Sequence, residues 1–337
     1  MRIILVGFGV VGQSLARLLS VRKRELLGYG INPRVVAVVD SGGAAVDPKG
    51  VDLDAALAAK KGGGTVADHP RAGQAKLDAL RVIRSVEAEV VVETTPTNIR
   101  DGEPGLGHME ASFRAGKHVV TANKGPLALA LPALNELAAH NKVEFFFSGT
   151  VGGGTPILHF AKRCLSSDRI LKIEGILNGT TNFILGRMES QGEGFDAALA
   201  EASGKGYAEA DPSLDIDGWD TACKVVIMAN WIMGKETTLA DVDVKGIRGI
   251  STEEVRGASR AGRSVKLLGS IDDTASVRPV AIERTDPLCV QGTLNAVKFS
   301  SEFAGDEVII GKGAGGMETA SAVLRDLLEL KRSRAWK

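Results

Sequence analysis

Residues 2–20, RIILVGFGVVGQSLARLLS, carry the strongest structural signal near the start of the chain. A short apolar run ends at Gly7, and the glycines of GFGVVG follow the pattern GxGxxG. Apolar residues at helical spacing come next, so the stretch predicts a strand, a glycine turn and a helix. Because the motif lies between a strand and a helix, it favours a dinucleotide-binding turn over a turn without a ligand.

Every residue of this turn is predicted to contact the cofactor: Gly7, Phe8, Gly9, Val10, Val11 and Gly12. Gly7 makes the turn, Gly9 lets the backbone approach a pyrophosphate, and Gly12 lets the helix pack close to the strand. The first N–H groups of the helix lack intrahelical partners and are suited to bind the phosphates.

Apolar strands then alternate with helical patterns, which predicts an α/β fold with a doubly wound parallel sheet. Strands are expected at 35–40, 88–95, 116–122 and 143–149, with helices at 53–61, 107–115 and 127–140. The glycine- and proline-rich segment 149–156 ends this pattern. A second, mixed α+β domain is predicted after it.

We therefore expect two domains. The dinucleotide-binding domain comprises residues 1–148 plus 312–337, because the last helix is predicted to return to it, and the catalytic domain comprises 149–311. Apolar residues make up 44% of the chain, which is enough for a sizeable core in each domain.

Charge and cysteine content exclude several classes of protein. Basic and acidic residues are equal at 41 each, so the chain lacks the basic surface of a nucleic-acid binder. The three scattered cysteines form neither a disulfide framework nor a CxxC metal pair, which favours a cytoplasmic protein. No apolar run is long enough for a membrane span.

Asp40 ends the second predicted strand. A carboxylate there bonds the ribose hydroxyls of NAD and repels the extra phosphate of NADP. Lys60 and Lys61 could still serve a 2′-phosphate, although a solvated helix end also explains them. The cofactor is predicted to be NAD or NADP, with NAD slightly favoured, and Thr94 and Thr95 are further candidate contacts.

Residues 206–224, GYAEADPSLDIDGWDTACK, gather five carboxylates and one lysine. A calcium loop would need a glutamate where Lys224 stands, so that interpretation fails. An exposed acidic turn explains Asp211 as a turn former and Asp217 as a helix N-cap. It explains less well the remaining charged residues, Glu209, Asp215, Asp220 and Lys224.

Asp220 and Lys224 are four residues apart in a predicted helix and share one face. On spacing alone, an ordinary helix ion pair is the better explanation. In a protein with a dinucleotide domain, a lysine among carboxylates stays protonated and could donate a proton to a carbonyl oxygen. The other carboxylates could bind an ammonium group, so the pocket suits a small amino acid that carries an alcohol or aldehyde.

The chain resembles the homoserine dehydrogenases, which interconvert L-homoserine and L-aspartate 4-semialdehyde with NAD(P) in threonine, methionine and isoleucine biosynthesis. The matching motifs run in order along nearly the whole chain: GFGVVG (7–12), VVTANKGP (119–126), TVGGGTP (150–156), LNGTTNFIL (177–185), GYAEADPSLDIDGWDTACK (206–224) and GKGAGG (311–316).

The resemblance implies roles for individual residues. Lys224 resembles the family's proton donor and acceptor, so homoserine oxidation is expected to prefer alkaline pH. Lys124 resembles a second active-site lysine near the nicotinamide and the substrate. The substrate-binding positions are Glu209, Asp220, Asp215 and Thr180, with Tyr207 as a further candidate, and the backbone positions at the cofactor are Gly206 and Gly315.

The family often binds sodium through backbone carbonyls that match Val151, Gly153 and Thr155. Its fourth ligand is usually a glutamate, where this chain has Ser148. The resemblance also implies a homodimer. We expect neither the ACT domain nor the aspartokinase domain that many relatives carry.

Two other functions stay open from the sequence. An acylating semialdehyde dehydrogenase would need a cysteine nucleophile, for which Cys223 beside Lys224 is the candidate. A dinucleotide-binding sensor would bind the cofactor without turnover and would be indifferent to the loss of Lys224.

Overall fold

The computed structural model describes residues 1–333 and divides the chain into two compact units. The first comprises Met1–Thr150 with the segment that begins at Gly315, and the second comprises Val151–Ala314. Among the described residues, no helix is both long and apolar enough to cross a bilayer.

The first unit contains a seven-stranded sheet in the order β4-β3-β2-β1-β5-β6-β7. Its strands are β1 (Arg2–Val6), β2 (Arg34–Asp40), β3 (Gly43–Val46), β4 (Gly73–Ala75), β5 (Val90–Glu93), β6 (His118–Thr121) and β7 (Phe145–Phe146). Its helices include α1 (Val10–Val21), α2 (Lys23–Gly28), α3 (Leu53–Ala59), α4 (Ala79–Ser85), α5 (Gly105–Arg114) and α6 (Lys124–His140).

The predicted doubly wound sheet is confirmed for five neighbouring strands, in the order β2-β1-β5-β6-β7. These strands pair in parallel and are buried in apolar clusters on both faces. The short strands β3 and β4 pair antiparallel at the other edge and were not predicted. Their sequences, GAAV and GQA, lack the branched apolar residues that mark a strand.

The second unit contains a six-stranded sheet in the order β13-β12-β8-β10-β11-β9. Its strands are β8 (Ile170–Ile176), β9 (Val242–Val244), β10 (Arg263–Ile271), β11 (Ala275–Glu283), β12 (Leu294–Ser301) and β13 (Gly305–Lys312). Its helices are α7 (Ile157–Cys164), α8 (Gly179–Gln191), α9 (Phe195–Gly204), α10 (Ser213–Ile216), α11 (Trp219–Trp231) and α12 (Thr252–Arg260).

Helix α11 packs closely on this sheet because its inner face is apolar and β10 has a glycine beneath it. A side chain at Gly269 would come within 2.8 Å of Val225 and 3.2 Å of Thr221. Strand β10 was not predicted, since Lys266 and Gly269 interrupt its apolar pattern. The helix begins at Trp219, and its N-cap is Gly218 rather than Asp217, which the sequence suggested. Asp217 instead pairs with Arg248 at 2.8 Å.

The last described helix, α13 (Gly316–Arg332), packs its apolar face into the core of the first unit. Asp326 lies fully buried on this helix and accepts hydrogen bonds from Ser148 N at 2.9 Å and Ser148 Oγ at 2.6 Å. Burial raises the pKa of Asp326 to about 7 despite these bonds.

This carboxyl group predicts a pH-dependent stability. A folded-state pKa above the ordinary value means that stability is lost as pH rises from about 4 through about 7. Asp326→Asn keeps an acceptor for Ser148 N and removes the titration. Between about pH 5 and 8, wild-type unfolding free energy is expected to fall relative to the variant by about 2–3 kcal/mol. Melting curves at several pH values measure this, and parallel pH profiles would refute the assignment.

Candidate active site

The glycine turn between β1 and α1 has little room for side chains. Gly7 has a φ of +88°, and a Cβ there would lie 2.6 Å from the Thr94 carbonyl carbon. A Cβ at Gly12 would lie 2.2 Å from the Gly7 carbonyl oxygen. Gly9 has open space around it and precedes the unpaired N–H groups of α1, so this end of the helix fits a pyrophosphate.

The other residues of the turn differ in what they can offer. Val10 is 73% exposed, whereas the Phe8 side chain is buried in the core, so only the Phe8 backbone can meet a ligand. Gly315 belongs to the same unit and has a φ of +132°. A side chain on the next residue, Gly316, would come within 2.5 Å of Val10, so the start of α13 lies against the start of α1.

Asp40 ends β2 with all of its acceptor sites engaged inside the chain. Its Oδ1 accepts from Gly42 N at 2.9 Å and Thr65 Oγ1 at 2.6 Å. Its Oδ2 accepts from Val66 N at 3.0 Å and Lys60 Nζ at 2.8 Å. Burial alone would raise the pKa of Asp40, but these hydrogen bonds hold it below its ordinary value.

Thr94 and Thr95 follow β5, beside the glycine turn. Thr94 Oγ1 donates to the carbonyl oxygens of Val6 at 3.1 Å and Gly7 at 2.7 Å. Lys124 is half-buried at the first position of α6, whose N-cap is Asn123. These residues share the carboxyl edge of the parallel sheet with the glycine turn, which is where such sheets bind ligands.

Lys224 is buried in the second unit, on α11. Its ammonium donates to Asp220 Oδ2 at 2.7 Å and to the Leu177 carbonyl oxygen at 2.6 Å. Only 7% of Lys224 is exposed, so its charge depends on these partners rather than on water. The predicted contact between Asp220 and Lys224 is therefore present, in a buried setting where an ion pair carries more weight than on a helix surface.

Asn178 joins the two acidic residues of the cluster, a role that the sequence did not reveal. Its Nδ2 donates to Asp215 Oδ1 at 2.6 Å and to Asp220 Oδ2 at 2.9 Å. Its Oδ1 caps α8 by accepting from Thr181 N at 2.9 Å. Burial, followed by the charge of Asp220, raises the pKa of Asp215.

Thr180 and Tyr207 form a second contact in this unit. Thr180 Oγ1 donates to the Tyr207 carbonyl oxygen at 2.7 Å, and the Tyr207 ring packs edge-on against Phe183 at 5.0 Å. Neighbouring Gly206 adopts a φ of +72° with open space around it. These bonds tie the turn at 206–207 to the start of α8.

Glu209 is exposed, and the hydrogen bonds and ion pairs found within residues 1–333 do not include it. The structure therefore brings together Asn178, Asp215, Asp220 and Lys224 but leaves Glu209 outside their network. Its carboxylate is solvated and is able to accept hydrogen bonds from a ligand.

The segment 151–155 folds tightly against the end of β13. Thr155 N donates to the Gly152 carbonyl at 2.8 Å, and the Thr155 carbonyl accepts from Ile157 N at 2.9 Å. Thr155 Oγ1 donates to the Lys312 carbonyl oxygen at 3.3 Å. Within the described residues, no group of three His, Cys, Asp or Glu side chains is placed to hold a metal.

The cysteines do not support acyl transfer. Cys223 has no exposed surface, Cys164 is exposed at the end of α7, and Cys289 is half-buried. A nucleophile must reach its substrate, so burial disfavours Cys223 as the catalytic group.

Comparisons with known proteins agree with this geometry. Residues 7–148 match the family model described as "Homoserine dehydrogenase, NAD binding domain", and residues 156–328 match the one described as "Homoserine dehydrogenase". The homoserine dehydrogenase of Methanocaldococcus jannaschii is 46% identical over 99% of both chains. The chain belongs to the homoserine dehydrogenase family.

Further homoserine dehydrogenases extend the comparison. An NAD(+)-dependent enzyme of Pseudomonas canavaninivorans is 39% identical over 98% of this chain and 96% of its own. The crystal structure from Thiobacillus denitrificans has a TM-score of 0.85 at 32% identity, covering 98% of this chain and 73% of that one. A hyperthermophilic archaeal enzyme in complex with NADPH has a TM-score of 0.87 at 28% identity, covering 98% and 97%.

The chemistry of this family is consistent with the features of the two units. As a homoserine dehydrogenase, the chain is an NAD(P)-dependent oxidoreductase that acts on a CH–OH group. Its first unit supplies the dinucleotide turn, and its second unit supplies the cluster of acids around a buried lysine.

Proposed function

We propose that Lys224 is the general acid and base for the reversible oxidation of L-homoserine to L-aspartate 4-semialdehyde. The main support for this proposal is the buried ammonium of Lys224, which lies 2.7 Å from Asp220 and 2.6 Å from the Leu177 carbonyl oxygen. When bound, the nicotinamide ring exchanges a hydride with the substrate carbon. Lys224 protonates the carbonyl oxygen during reduction and removes the hydroxyl proton during oxidation.

The carboxylates around Lys224 have separate tasks. Asp220 balances and orients the ammonium, and Asn178 keeps Asp220 and Asp215 together. The carboxylates of solvated Glu209 and of Asp220 bind the substrate ammonium group. Asp215 is the supporting acid beside Asp220. Thr180 and Tyr207 close this side of the substrate site, because their hydrogen bond fixes the turn that carries Glu209.

The proposal is tested by comparing L-homoserine with 4-hydroxybutyrate, which has the same carbon chain and carboxylate but no ammonium group. Each charge-assisted hydrogen bond contributes about 1.5–3 kcal/mol, so kcat/KM is expected to fall at least about 10²-fold for 4-hydroxybutyrate. Reduced nicotinamide is followed by absorbance. Equal turnover of both compounds would contradict ammonium recognition, and turnover of neither would contradict the proposed reaction.

In the first unit, the cofactor is held by the backbone of the glycine turn, by Thr94 and Thr95, and by Gly315. The resemblance to the family assigns Lys124 to the nicotinamide and Gly206 to a backbone contact with the cofactor. The Asp40 carboxylate accepts hydrogen bonds from Thr65 and Val66 and forms an ion pair with Lys60. These contacts partly neutralise the repulsion that Asp40 exerts on a 2′-phosphate. Both cofactors are accepted, and NAD is modestly preferred.

This arrangement predicts opposite shifts for two substitutions. Asp40→Ala frees Lys60 and Thr65 Oγ1 for a 2′-phosphate, so the ratio of kcat/KM for NADP to that for NAD should rise about 10-fold or more. Lys60→Ala exposes the Asp40 charge and should lower the ratio by a similar factor, since about 1.4 kcal/mol is tenfold. Lys61→Ala is the control. Shifts in the same direction for both variants would contradict the pairing as the determinant.

A sodium ion at the carbonyls of Val151, Gly153 and Thr155 is bound weakly at most. Ser148 supplies no charge, and its N–H and hydroxyl are committed to Asp326. The carbonyl of Thr155 is also shared with Ile157 N. Activity should therefore change less than about 2-fold when sodium chloride is replaced by choline chloride at equal ionic strength. A strong requirement for sodium would contradict this.

The enzyme acts as a homodimer formed through the sheet of the second unit. Support comes from exposed apolar side chains on two adjacent strands at one edge of this sheet: Leu294 on β12 is 37% exposed, and Ile310 on the edge strand β13 is 50% exposed. Light scattering after size-exclusion chromatography should give twice the mass of the chain, and a monomer at micromolar concentration would refute this assembly.

A further inference from the structure

Glu93 is a fully buried carboxylate. It belongs neither to the glycine turn nor to the cluster of Asn178, Asp215, Asp220 and Lys224. It is the last residue of β5 and has no exposed surface. Burying a carboxylate is costly unless hydrogen-bond donors or a counter-charge surround it. The groups that surround Glu93 therefore indicate what it does.

The carboxylate links the ends of two adjacent strands. Its Oε1 accepts from Thr95 N at 3.0 Å and from Thr95 Oγ1, and its Oε2 accepts from Thr121 Oγ1 at 3.2 Å. The Glu93 carbonyl also accepts from Thr121 Oγ1 at 3.0 Å. Thr95 lies just beyond β5 and Thr121 ends β6, so one side chain sets the geometry of both strand ends.

Asn123 continues this network to the start of α6. Its backbone N donates to Thr121 Oγ1 at 3.0 Å, and its Nδ2 donates to Thr95 Oγ1 at 3.2 Å. Its Oδ1 accepts from Gly125 N at 3.2 Å and caps the helix. Lys124 lies between the two residues joined by this cap, so its backbone is held from both sides.

His108 approaches the same carboxylate from α5. Its Nδ1 lies 3.7 Å from Glu93 Oε1, and only 7% of the residue is exposed. Among the described residues, Nδ1 makes no hydrogen bond. The imidazole therefore presents a polar atom to the same carboxylate oxygen that Thr95 bonds, and it adds to the polar surroundings of Glu93.

We infer that Glu93 is a positioning residue that holds Lys124 and Thr95 in their reactive arrangement through Thr121 and Asn123. The inference rests on the proposed function of Lys124 and extends it, because it names the group that orients the lysine. The Glu93 side chain bonds Thr95 and Thr121, which belong to the first unit. Its loss should affect turnover more than homoserine binding.

The first test compares Glu93→Ala with Glu93→Gln. Alanine removes the carboxylate that accepts from Thr95 and Thr121 and leaves Thr121 Oγ1 only the Glu93 backbone carbonyl. The kcat for homoserine oxidation is expected to fall about 10–100-fold while KM for homoserine changes less than about 3-fold. Glutamine keeps an acceptor for Thr95 and can donate to Thr121 Oγ1, so it should restore kcat to within about 5-fold of wild type. Wild-type kcat in a folded Glu93→Ala protein would overturn the inference.

Two controls separate positioning from general destabilisation. Ser112→Ala removes a buried hydrogen bond, 2.6 Å to the His108 carbonyl, on the neighbouring helix. It should lower the melting temperature without changing kcat. If Glu93→Ala does not fold, Thr121→Val removes one link at constant shape and should lower kcat at least about 3-fold at unchanged homoserine KM. Unchanged kcat in Thr121→Val would then count against the link.

Lys124→Ala distinguishes the inference from the proposal beneath it. A loss of turnover in Lys124→Ala with full activity in Glu93→Ala would refute the positioning role alone. Full activity in Lys124→Ala would refute the assigned role of the lysine itself, and the inference about Glu93 would fall with it.

Discussion

Lys224→Ala is expected to lower kcat for homoserine oxidation by about 10³-fold, because it removes the only buried ammonium placed at Asp220 among the described residues. General acid–base catalysis typically contributes 10²- to 10⁴-fold. Binding of the cofactor should stay within about 3-fold of wild type, since the glycine turn belongs to the other unit. Initial rates and fluorescence titration with NADH measure the two effects.

A matched control is available in the same unit. Lys298 lies on β12, is 3.0 Å from Glu174 and is half-buried. Lys298→Ala also removes a lysine from a carboxylate pair but should keep kcat within about 3-fold. If both variants lose activity equally, the effect of Lys224→Ala reflects stability rather than proton transfer.

Asp220→Asn is expected to lower kcat/KM for homoserine by about 10²-fold. The substitution keeps the shape but removes the charge that balances Lys224 and attracts the substrate ammonium. The oxygen of the new amide still accepts a hydrogen bond from Asn178, so the change tests charge more than packing.

Asp217→Asn provides the comparison for this prediction. Asp217 belongs to the same acidic stretch but pairs with exposed Arg248, and surface pairs contribute about 0–1 kcal/mol. Its kcat/KM should equal that of wild type within about 2-fold. An Asp220→Asn protein as active as the Asp217→Asn protein would contradict the proposed role of Asp220.

Local features of the site could be predicted from the sequence. The turn from Gly7 to Gly12 lies between one strand and one helix, so its pattern is visible in a few residues. The contact between Asp220 and Lys224 follows from a spacing of four residues on one helix. In both places short-range geometry determines the structure.

Contacts between distant residues could not be predicted. Asn178 reaches Asp215 and Asp220 across 37 and 42 positions, and nothing in NGTTN signals those partners. Asp40 looked free to bind ribose, but donors 20 to 26 positions away occupy it. Glu93 ends an apolar strand, where a sequence shows only a polar boundary. Tertiary packing brought these partners together, and a single sequence does not reveal it.

The most direct test of Lys224 as acid and base is chemical rescue of Lys224→Ala by a small primary amine. The account predicts that homoserine oxidation returns in proportion to the free-base concentration of added methylamine or ethylamine, with more rescue at higher pH, because the amine replaces the lost proton acceptor. Activity that is lost in the variant and does not respond to any amine concentration, while the protein stays folded and binds NADH, would mean that Lys224 only holds Asp220 and Leu177 in place.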